Sequence, residues 1–214
     1  MCSIFGSFNK NRVIELAELN QFKGTFSYSL TQDDRSHKAF GKFDNDIVND
    51  IVQTDNYVIG HVQAPTGGMV KDDNRIHPTS IGKSLLWHNG LLTKRGIKYL
   101  QDYLDTTEEF DTKLLHEYFV RYNFTFLEKI EGLFTCIFKH GSDFYVFRTK
   151  HGKLYVNDEL ELSSERFEGS KCINYDTIYK MNFAEKRLQP VSYFKTNRYN
   201  FIIKGELNDW FTRY

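Results

Sequence analysis

Cys2 is the residue of this chain that could most clearly take part in catalysis, because only the second position allows a cysteine to become the amino terminus. Aminopeptidases remove Met1 when the next side chain is small, and the product carries a thiol and a free α-amine on one residue. The unperturbed pKa of an α-amine is about 7.7–8.0, so part of it is unprotonated near neutral pH and can accept the thiol proton. Cys2 could therefore be a nucleophile that contains its own general base.

The surroundings of Cys2 decide between this role and an ordinary residue in a loose terminus, which is the better interpretation of Cys2 taken alone. Residues 3–6 predict a short buried strand that would hold the terminus in a packed interior. Four further segments place polar residues beside turns or strand ends. They are residues 60–68, residues 76–78 with 85–90, residues 110–112, and residues 127–138 with the later 148 and 162–165.

Length and composition limit the class of protein. The 214 residues predict one domain, or one domain with a short extension, and a hydrophobic content of 40% is enough for a core. Lys+Arg and Asp+Glu both number 28, which argues against nucleic acid or a membrane surface as a partner captured by bulk charge. Three cysteines without zinc-binding spacing and without a secretory signal indicate a reducing compartment. We therefore expect a soluble, cytoplasmic protein.

The spacing of apolar residues predicts helices at 13–19, 94–104 and 112–122. It predicts strands at 26–31, 57–62 and 84–87, and again at 133–138, 144–147, 153–156, 159–163 and 177–181. In the first of these strands, Phe26, Tyr28 and Leu30 alternate with polar residues, which predicts burial of one face only. Two groups of strands separated by a helical stretch fit two sheets packed face to face with helices outside.

Taken in order, these segments resemble the glutaminase domain of class II glutamine amidotransferases, the N-terminal-nucleophile type, over residues 2–190. The family opens with Cys-Gly-Ile-x-Gly after a removed methionine, and this chain reads Cys-Ser-Ile-Phe-Gly from Cys2. The family's Gly-His-x-Arg-x-x-Thr-x-Gly segment corresponds to residues 60–68, and its His-Asn-Gly motif is intact at 88–90. Its Asp-Thr/Ser-Glu element corresponds to 111–113, and its Arg-Asp-x-x-Gly and Ser-Glu elements to 148–152 and 164–165.

The resemblance implies an α+β fold, a four-layer αββα sandwich of the N-terminal-nucleophile hydrolase type. It implies a glutaminase-like domain at residues 1–190 and a C-terminal extension at 191–214. Cys2 would attack a carboxamide carbon, and Asn89 with the N–H of Gly90 would stabilise the oxyanion, where one donor typically contributes about 2.7–4 kcal/mol. Without the other motifs, Asn89 and Gly90 would be better explained as a type I′ hairpin turn.

Three further residues are substrate-binding candidates by the same resemblance, and each has a structural alternative. Asp111 would pair with the α-ammonium of glutamine, or it caps a helix that begins at Thr112. Thr66 and His77 stand where the family contacts the substrate carboxylate or shapes its pocket, or they are ordinary turn and core residues.

Gln63 is the most serious departure from the family, which has at this position an arginine that pairs with the α-carboxylate of glutamine. A neutral amide cannot replace that charged contact, so free glutamine should bind about ten- to a hundredfold more weakly unless Lys71, Arg75 or Arg148 supplies the charge. Alternatively, the substrate lacks a free α-carboxylate. Lesser departures are at Ser3, Lys23 and Lys113.

These residues predict hydrolysis of glutamine, or of a glutamine-like side-chain amide, through a thioester on Cys2 that releases ammonia. No cofactor or metal is expected, because acyl transfer needs only a nucleophile, a base and oxyanion donors. Family members usually fuse this domain to a domain that consumes the ammonia, so we expect any acceptor on a separate synthase subunit. The alternatives are a non-catalytic binding or regulatory protein on the same scaffold, and an amidase for a peptide-bound or other amide.

Overall fold

The computed structural model of the chain describes residues 2–33, 35–53, 55–64 and 71–196. The helices in these ranges are α1 (Lys10–Asn20), α2 (Ile47–Ile51), α3 (Lys94–Leu104) and α4 (Asp111–Tyr122). The strands are β1 (Ser3–Ser7), β2 (Ser27–Gln32), β3 (Arg35–Phe40), β4 (Val58–Gln63), β5 (Thr79–Ile81), β6 (Ser84–Leu92), β7 (Gly132–His140), β8 (Asp143–Arg148), β9 (Tyr155–Val156), β10 (Leu162–Ser163), β11 (Lys171–Cys172), β12 (Thr177–Asn182) and β13 (Arg187–Tyr193). No helix within these ranges is long and apolar enough to cross a membrane.

Local side-chain chemistry explains where two of the long helices begin. The side chain of Asn9 accepts a hydrogen bond from the N–H of Arg12 and caps α1. Thr93 caps α3 in the same way, because its hydroxyl accepts from the N–H of Gly96 at 3.1 Å. The helices predicted at 13–19, 94–104 and 112–122 are therefore confirmed, with ends that differ by a few residues at most.

The strands form two antiparallel sheets. The first has the order β11-β9-β10-β1-β4-β2-β3, and the second has the order β13-β12-β8-β7-β6-β5. These sheets do not correspond to the two groups of strands along the sequence. β5 and β6 precede α3 and α4 but lie in the same sheet as β7, since β5 pairs with β6 and β6 pairs with β7, and β9 to β11 return to the first sheet. The helical hairpin α3–α4 thus connects two neighbouring strands of one sheet.

Three clusters of buried apolar side chains occupy the three interfaces between four layers. One cluster joins α1 and α2 to the first sheet and contains Val13, Leu16, Leu30 and Val48. Another joins α3 and α4 to the second sheet and contains Leu100, Leu115, Phe119 and Phe138. The third lies between the sheets and contains Ile4, Ile59, Trp87 and Ile137. The predicted αββα sandwich is confirmed.

The burial of β2 differs from the expectation from sequence, because both sheets lie in the middle of the four layers. The alternation in β2 predicts a strand buried on one face, but all six residues from Ser27 to Gln32 are buried. Tyr28 and Leu30 pack in the cluster beneath α1, while Ser27 bonds to Gln63 on the other face. Small polar residues are buried here because a second sheet covers the face that would otherwise meet water.

The end of the described chain is part of the second sheet. β13 pairs with β12 up to Tyr193, so this strand continues across the predicted domain boundary at residue 190. The N–H of Phe194 then donates to the carbonyl of Asp176 at 3.0 Å. The rest of the predicted extension, residues 197–214, lies outside the described residues and stays a prediction.

Candidate active site

Cys2 lies directly before β1, which is held between β4 and β10 in the first sheet. Its side chain is buried, and the thiol is 3.9 Å from the carbonyl oxygen of Ala64, a weak S–H···O contact. Burial raises the pKa of the thiol to about 11, so the thiolate is scarcely populated near neutral pH. Reaction at this sulfur therefore requires an adjacent base that takes the proton as the new bond forms.

The hydroxyl of Ser164 joins the strand that follows Cys2 to Asn89 on the other sheet. Ser164 follows β10, and its Oγ accepts hydrogen bonds from the N–H of Ile4 at 2.9 Å and from Nδ2 of Asn89 at 3.0 Å. Its own N–H donates to the carbonyl of Ile4 at 2.8 Å. Because Ile4 is two residues from Cys2, this bridge holds the amide of Asn89 at the Cys2 end of β1. An amide nitrogen has two hydrogens, so one is left for a further acceptor.

Asn89 and Gly90 lie inside β6, and the alternative that they form a hairpin turn is wrong. They pair with Thr135 and Phe134 of β7. Gly90 has a φ of 151°, and a Cβ at this position would lie 1.9 Å from the carbonyl oxygen of Leu133. Glycine is required here by both backbone conformation and close approach.

The side chain of Gln63 is buried at the end of β4 and held at both of its polar atoms. Its Oε1 accepts from the hydroxyl of Ser27 at 2.9 Å, and Nδ1 of His77 lies 3.4 Å from the same oxygen. Its Nε2 donates to the backbone carbonyl of Arg75 at 3.1 Å. The side chain that replaces the family's arginine is thus a neutral part of the wall between the first sheet and the segment around His77.

Three buried histidines, His61, His77 and His88, extend from Gln63 to the start of α4. The rings of His61 and His77 are 4.1 Å apart between centroids. Nε2 of His61 lies 3.1 Å from the carbonyl of His88 and must donate to it, which leaves Nδ1 as a buried acceptor without a partner among the described residues. The hydroxyl of Thr112 is 2.9 Å from Nε2 of His77 and 3.0 Å from Nδ1 of His88.

Burial makes these three rings neutral. It lowers the pKa of His61 to about 3, and it lowers the pKa values of His77 and His88 below the ordinary value. The neighbouring rings lower the pKa of His77 further, while Asp111 opposes the shift at His88. The wall beside Gln63 therefore contributes hydrogen-bonding groups but no imidazolium charge near neutral pH. Within the described ranges, no group of three His, Cys, Asp or Glu side chains could hold a metal ion.

Asp111 is the first residue of α4, with Phe110 in the N-cap position. The alternative that Asp111 caps a helix beginning at Thr112 is therefore wrong. Its Oδ1 accepts from the N–H of Thr112 at 2.7 Å, and its Oδ2 accepts from the N–H of Leu92 at 3.3 Å. The side chain keeps 21% of its surface exposed, and Oδ1 is 4.0 Å from Nδ1 of His88. These contacts orient a carboxylate that can still receive a cationic group.

The three cations considered as replacements for the family's arginine differ in their surroundings. Arg148 is buried, and its guanidinium donates to the backbone carbonyls of Gly152 and Ile173. This guanidinium therefore holds a chain segment together and cannot serve a substrate. Nζ of Lys71 lies 5.7 Å from the centre of the Phe40 ring.

Arg75 is the cation beside both Gln63 and the start of α4. Its carbonyl accepts from Gln63, and its guanidinium carbon lies 5.8 Å from the centre of the Phe110 ring, one residue before Asp111. Its Nε is 3.9 Å from a carboxylate oxygen of Asp72. With 42% of the side chain exposed, the guanidinium can move toward a bound anion.

Of the remaining residues named from sequence, two form ion pairs and one lies outside the described residues. Lys23 forms an ion pair with Glu165, and Lys113 pairs with Glu108 at 2.8 Å. Thr66 lies outside the described residues, so its assignment stays a prediction. The bridging role of Ser164 was not predicted, although the Ser-Glu motif at 164–165 marked its position.

Replacing Ser164 by alanine should lower the free energy of unfolding by about 1–3 kcal/mol, because the buried N–H of Ile4 loses its acceptor. Equilibrium denaturation measures the change. Ser142→Ala is the matched control: Ser142 is exposed in the turn between β7 and β8, and its loss should cost less than about 0.5 kcal/mol. Equal effects of the two substitutions would contradict the bridge.

Acid should destabilise the fold through the buried histidines. Each binds a proton in the unfolded chain below its ordinary pKa of about 6.5, but burial in the folded form opposes protonation, so stability falls as the pH drops below about 6.5 and, for His61, continues to fall toward its folded pKa of about 3. Each histidine contributes up to about 1.4 kcal/mol per pH unit in that window. Urea midpoints measured from about pH 7.5 to about pH 4.5 test this, and His61→Gln should flatten the decline. An unchanged slope in that variant would refute the assignment of His61.

Comparison with known proteins identifies the fold. No protein-family profile and no curated protein matches this sequence. Among solved structures, the glutamine phosphoribosylpyrophosphate amidotransferase of B. subtilis is similar with a TM-score of 0.62 and 17% identity, and a structure described as the allosteric regulatory enzyme of purine biosynthesis has a TM-score of 0.64 and 15% identity. Each match covers 92% of this chain, which spans about half (50%) of the length of either protein.

A third similar structure, a glutamine aminotransferase class-II domain protein from Silicibacter pomeroyi, has a TM-score of 0.51 and 10% identity. That match covers 90% of this chain and 99% of the other. The chain therefore has the fold of class II glutamine amidotransferases, the N-terminal-nucleophile sandwich that its sequence motifs predict.

Proposed function

We propose that this chain hydrolyses the side-chain amide of glutamine, or of a glutamine-like compound, with Cys2 as nucleophile after removal of Met1. The observation that carries the proposal is the Ser164 bridge, which holds the amide of Asn89 to the strand that presents Cys2. A nucleophile, a hydrogen-bond donor for an oxyanion and a glycine N–H beside that donor are the parts that acyl transfer requires.

In the proposed reaction, the α-amine of Cys2 accepts the thiol proton while sulfur attacks the carboxamide carbon. The carbonyl π electrons move to oxygen, and Nδ2 of Asn89 and the N–H of Gly90 stabilise the resulting oxyanion. Collapse of this intermediate breaks the carbon–nitrogen bond, and the proton held by the amine passes to the leaving nitrogen, which departs as ammonia. Water then attacks the thioester by the same route, releasing the carboxylic acid and the Cys2 thiol.

The high pKa of the thiol supports a base within the same residue. A thiol with a pKa near 11 does not supply a preformed thiolate, so the proton must leave as the carbon–sulfur bond forms. The histidines are unsuited to this task, because burial lowers the pKa of His61, His77 and His88 and so disfavours the imidazolium that each would have to become. An α-amine on Cys2 is the nearest group with a suitable pKa.

Asp111, Gln63, His77 and Thr66 are the proposed substrate-binding residues. Asp111 would receive the α-ammonium, while Gln63 and His77 would form a neutral wall at the position of the α-carboxylate. In this proposal Arg75 supplies the charge that Gln63 lacks, because its carbonyl is bonded to Gln63 and its guanidinium lies over the ring of Phe110, the residue before Asp111.

The neutral side chains around Gln63 also favour a second class of substrate. Both polar atoms of the Gln63 side chain are bonded within the protein, and burial keeps the neighbouring His77 neutral. A peptide-bound glutamine, or another amide without a free carboxylate, fits such a wall better than free glutamine does. A non-catalytic binding protein on this scaffold would hydrolyse neither free glutamine nor an amide without a free carboxylate.

The fate of the ammonia is also a proposal. We propose a separate synthase subunit as the partner that consumes the ammonia, and two of the similar structures extend to about twice the length of this chain. Its identity and the cytoplasmic location stay predictions.

Substitution of Cys2 by alanine should abolish glutamine hydrolysis and covalent labelling by a diazo-ketone analogue of glutamine, because no other group replaces the attacking sulfur. Intact-mass analysis should show loss of Met1 and the label on Cys2. Cys172→Ala is the matched control, since Cys172 is an exposed thiol and its removal should leave labelling intact. Labelling that survives in Cys2→Ala, or a processed protein that is neither labelled nor active, would reject the enzyme.

Gln63→Arg should lower the KM for glutamine about tenfold or more and leave the KM for glutaminamide, which has no carboxylate, nearly unchanged. If Arg75 supplies the charge, Arg75→Gln should raise the KM for glutamine alone. Arg187→Gln is the control, because Arg187 is an exposed arginine of β13. A native KM for glutaminamide well below that for glutamine would favour the second substrate class, and equal shifts for both substrates would contradict the carboxylate assignment.

A further inference from the structure

We propose that Thr112 is a positioning residue of the candidate active site, because its hydroxyl holds the two sides of the substrate-binding region in one arrangement. On one side is the carboxylate of Asp111, and on the other is the wall formed by Gln63 and His77. The role in substrate binding rests on the proposed function, whereas the hydrogen bonds themselves can be measured without any activity.

The hydroxyl of Thr112 lies among three polar groups. Thr112 is the second residue of α4 and is buried. Its Oγ1 is 2.9 Å from Nε2 of His77 and 3.0 Å from Nδ1 of His88. Oδ1 of Asp111 is 3.3 Å from the same oxygen. A hydroxyl has one hydrogen and two lone pairs, so it can donate to only one of these groups at a time.

The side chain of Gln63 decides which ring nitrogen of His77 carries the hydrogen. Nε2 of Gln63 points to the backbone carbonyl of Arg75, because a carbonyl can only accept. Its Oε1 therefore faces Nδ1 of His77, at 3.4 Å. Two acceptors at this distance would repel each other, so the hydrogen of the neutral His77 ring is on Nδ1.

The ring of His77 has a single hydrogen, because its surroundings oppose the imidazolium form. Burial is the main cause of a pKa well below the ordinary value. The rings of His61 and His88 and the ammonium of Lys38 lower this pKa further. Nζ of Lys38 donates to the backbone carbonyls on both sides of His77, at 2.8 Å and 2.6 Å. With its one hydrogen on Nδ1, the ring has an acceptor at Nε2.

The hydrogen of the Thr112 hydroxyl is consequently donated to Nε2 of His77. Oδ1 of Asp111 accepts instead from the backbone N–H of Thr112, at 2.7 Å. Nδ1 of His88 then donates to Oγ1 of Thr112. The hydrogen bonds run in one direction, from His88 through Thr112 and His77 to Gln63. Nε2 of His88 is left as an acceptor, and it has no partner among the described residues.

This directed chain fixes the carboxylate of Asp111 relative to Gln63. The carboxylate and the hydroxyl belong to consecutive residues at the start of α4, and one hydroxyl connects them to the ring of His77. In the proposed function, the two sides receive the α-ammonium and the α-carboxyl group of one substrate, which are joined through a single carbon. Loss of the hydroxyl should therefore weaken substrate binding, while Cys2 and Asn89 keep their places.

NMR of the full chain with isotope-labelled histidine tests the arrangement, because nitrogen shifts distinguish ring nitrogens with and without hydrogen. We expect the Nδ1–H tautomer for both His77 and His88. Thr112→Val should change the shifts of both rings, and Thr112→Ser, which keeps the hydroxyl, should restore them. The native chain decides the point even if the valine variant does not fold. An Nε2–H tautomer of His77 in the native chain would overturn the proposal.

Kinetics separate positioning from a loss of stability. Thr112→Val should raise the KM for glutamine and for glutaminamide about tenfold and change kcat less than about twofold, and Thr112→Ser should stay near the native values. Thr79→Val is the matched control, because Thr79 is a buried threonine with Oγ1 at 2.8 Å from Nδ1 of His116. A lower kcat at unchanged KM, failure of the serine variant, or an equal effect of Thr79→Val would contradict the role.

Failure of this role and failure of the proposed hydrolysis give different results. Calorimetric titration of glutaminamide into Cys2→Ala, with and without Thr112→Val, measures affinity without turnover. An inactive native chain whose Cys2→Ala variant still binds glutaminamide, about tenfold more weakly after Thr112→Val, would reject the hydrolysis and support the positioning role. Equal affinities, or no binding to Cys2→Ala, would overturn the positioning role.

Discussion

One serine hydroxyl holds together the two sheets at the point where the proposed chemistry occurs. Oγ of Ser164 accepts from the backbone of the strand that presents Cys2 and from the amide of Asn89 on the facing sheet. An oxygen has two lone pairs, so both acceptor positions are filled and the distance between the two donors is restricted. The position of the Asn89 amide relative to the strand that follows Cys2 therefore depends on this single side chain.

The side chains between the two sheets change from polar to apolar along the length of the strands. Around Cys2 they are buried polar groups, including Gln63 and three neutral histidines. Ile4, Ile59 and Trp87 then fill the middle as an apolar cluster. Beyond them the rings of Phe8, Tyr57 and Phe183 pack together. Polar groups buried in a low dielectric need partners, and at the polar end Gln63 has them at both atoms, whereas Nδ1 of His61 and Nε2 of His88 have none among the described residues.

The neutrality of the wall around Gln63 is the main chemical difference between this site and the one that the family resemblance implies. Burial keeps His61 and His77 unprotonated, and both polar atoms of the Gln63 side chain are hydrogen-bonded within the protein. The charged groups at this wall are Asp111, whose Oδ1 is 4.0 Å from Nδ1 of His88, and Lys38, whose Nζ donates to the carbonyls on either side of His77.

Periodicity was sufficient to predict the three long helices, and the order of the motifs was sufficient to predict the four-layer sandwich, because both follow from local patterns along the chain. The roles of Cys2, Asn89 and Gly90 stay predictions. Other features depend on residues far apart in sequence. The burial of both faces of β2, the exchange of strands between the sheets, the strand position of Asn89 and Gly90, and the bridge from Ser164 to Asn89 all require contacts across 36 to 160 residues. The tertiary structure alone decided these, since hydrogen bonds between distant segments leave no period in the sequence.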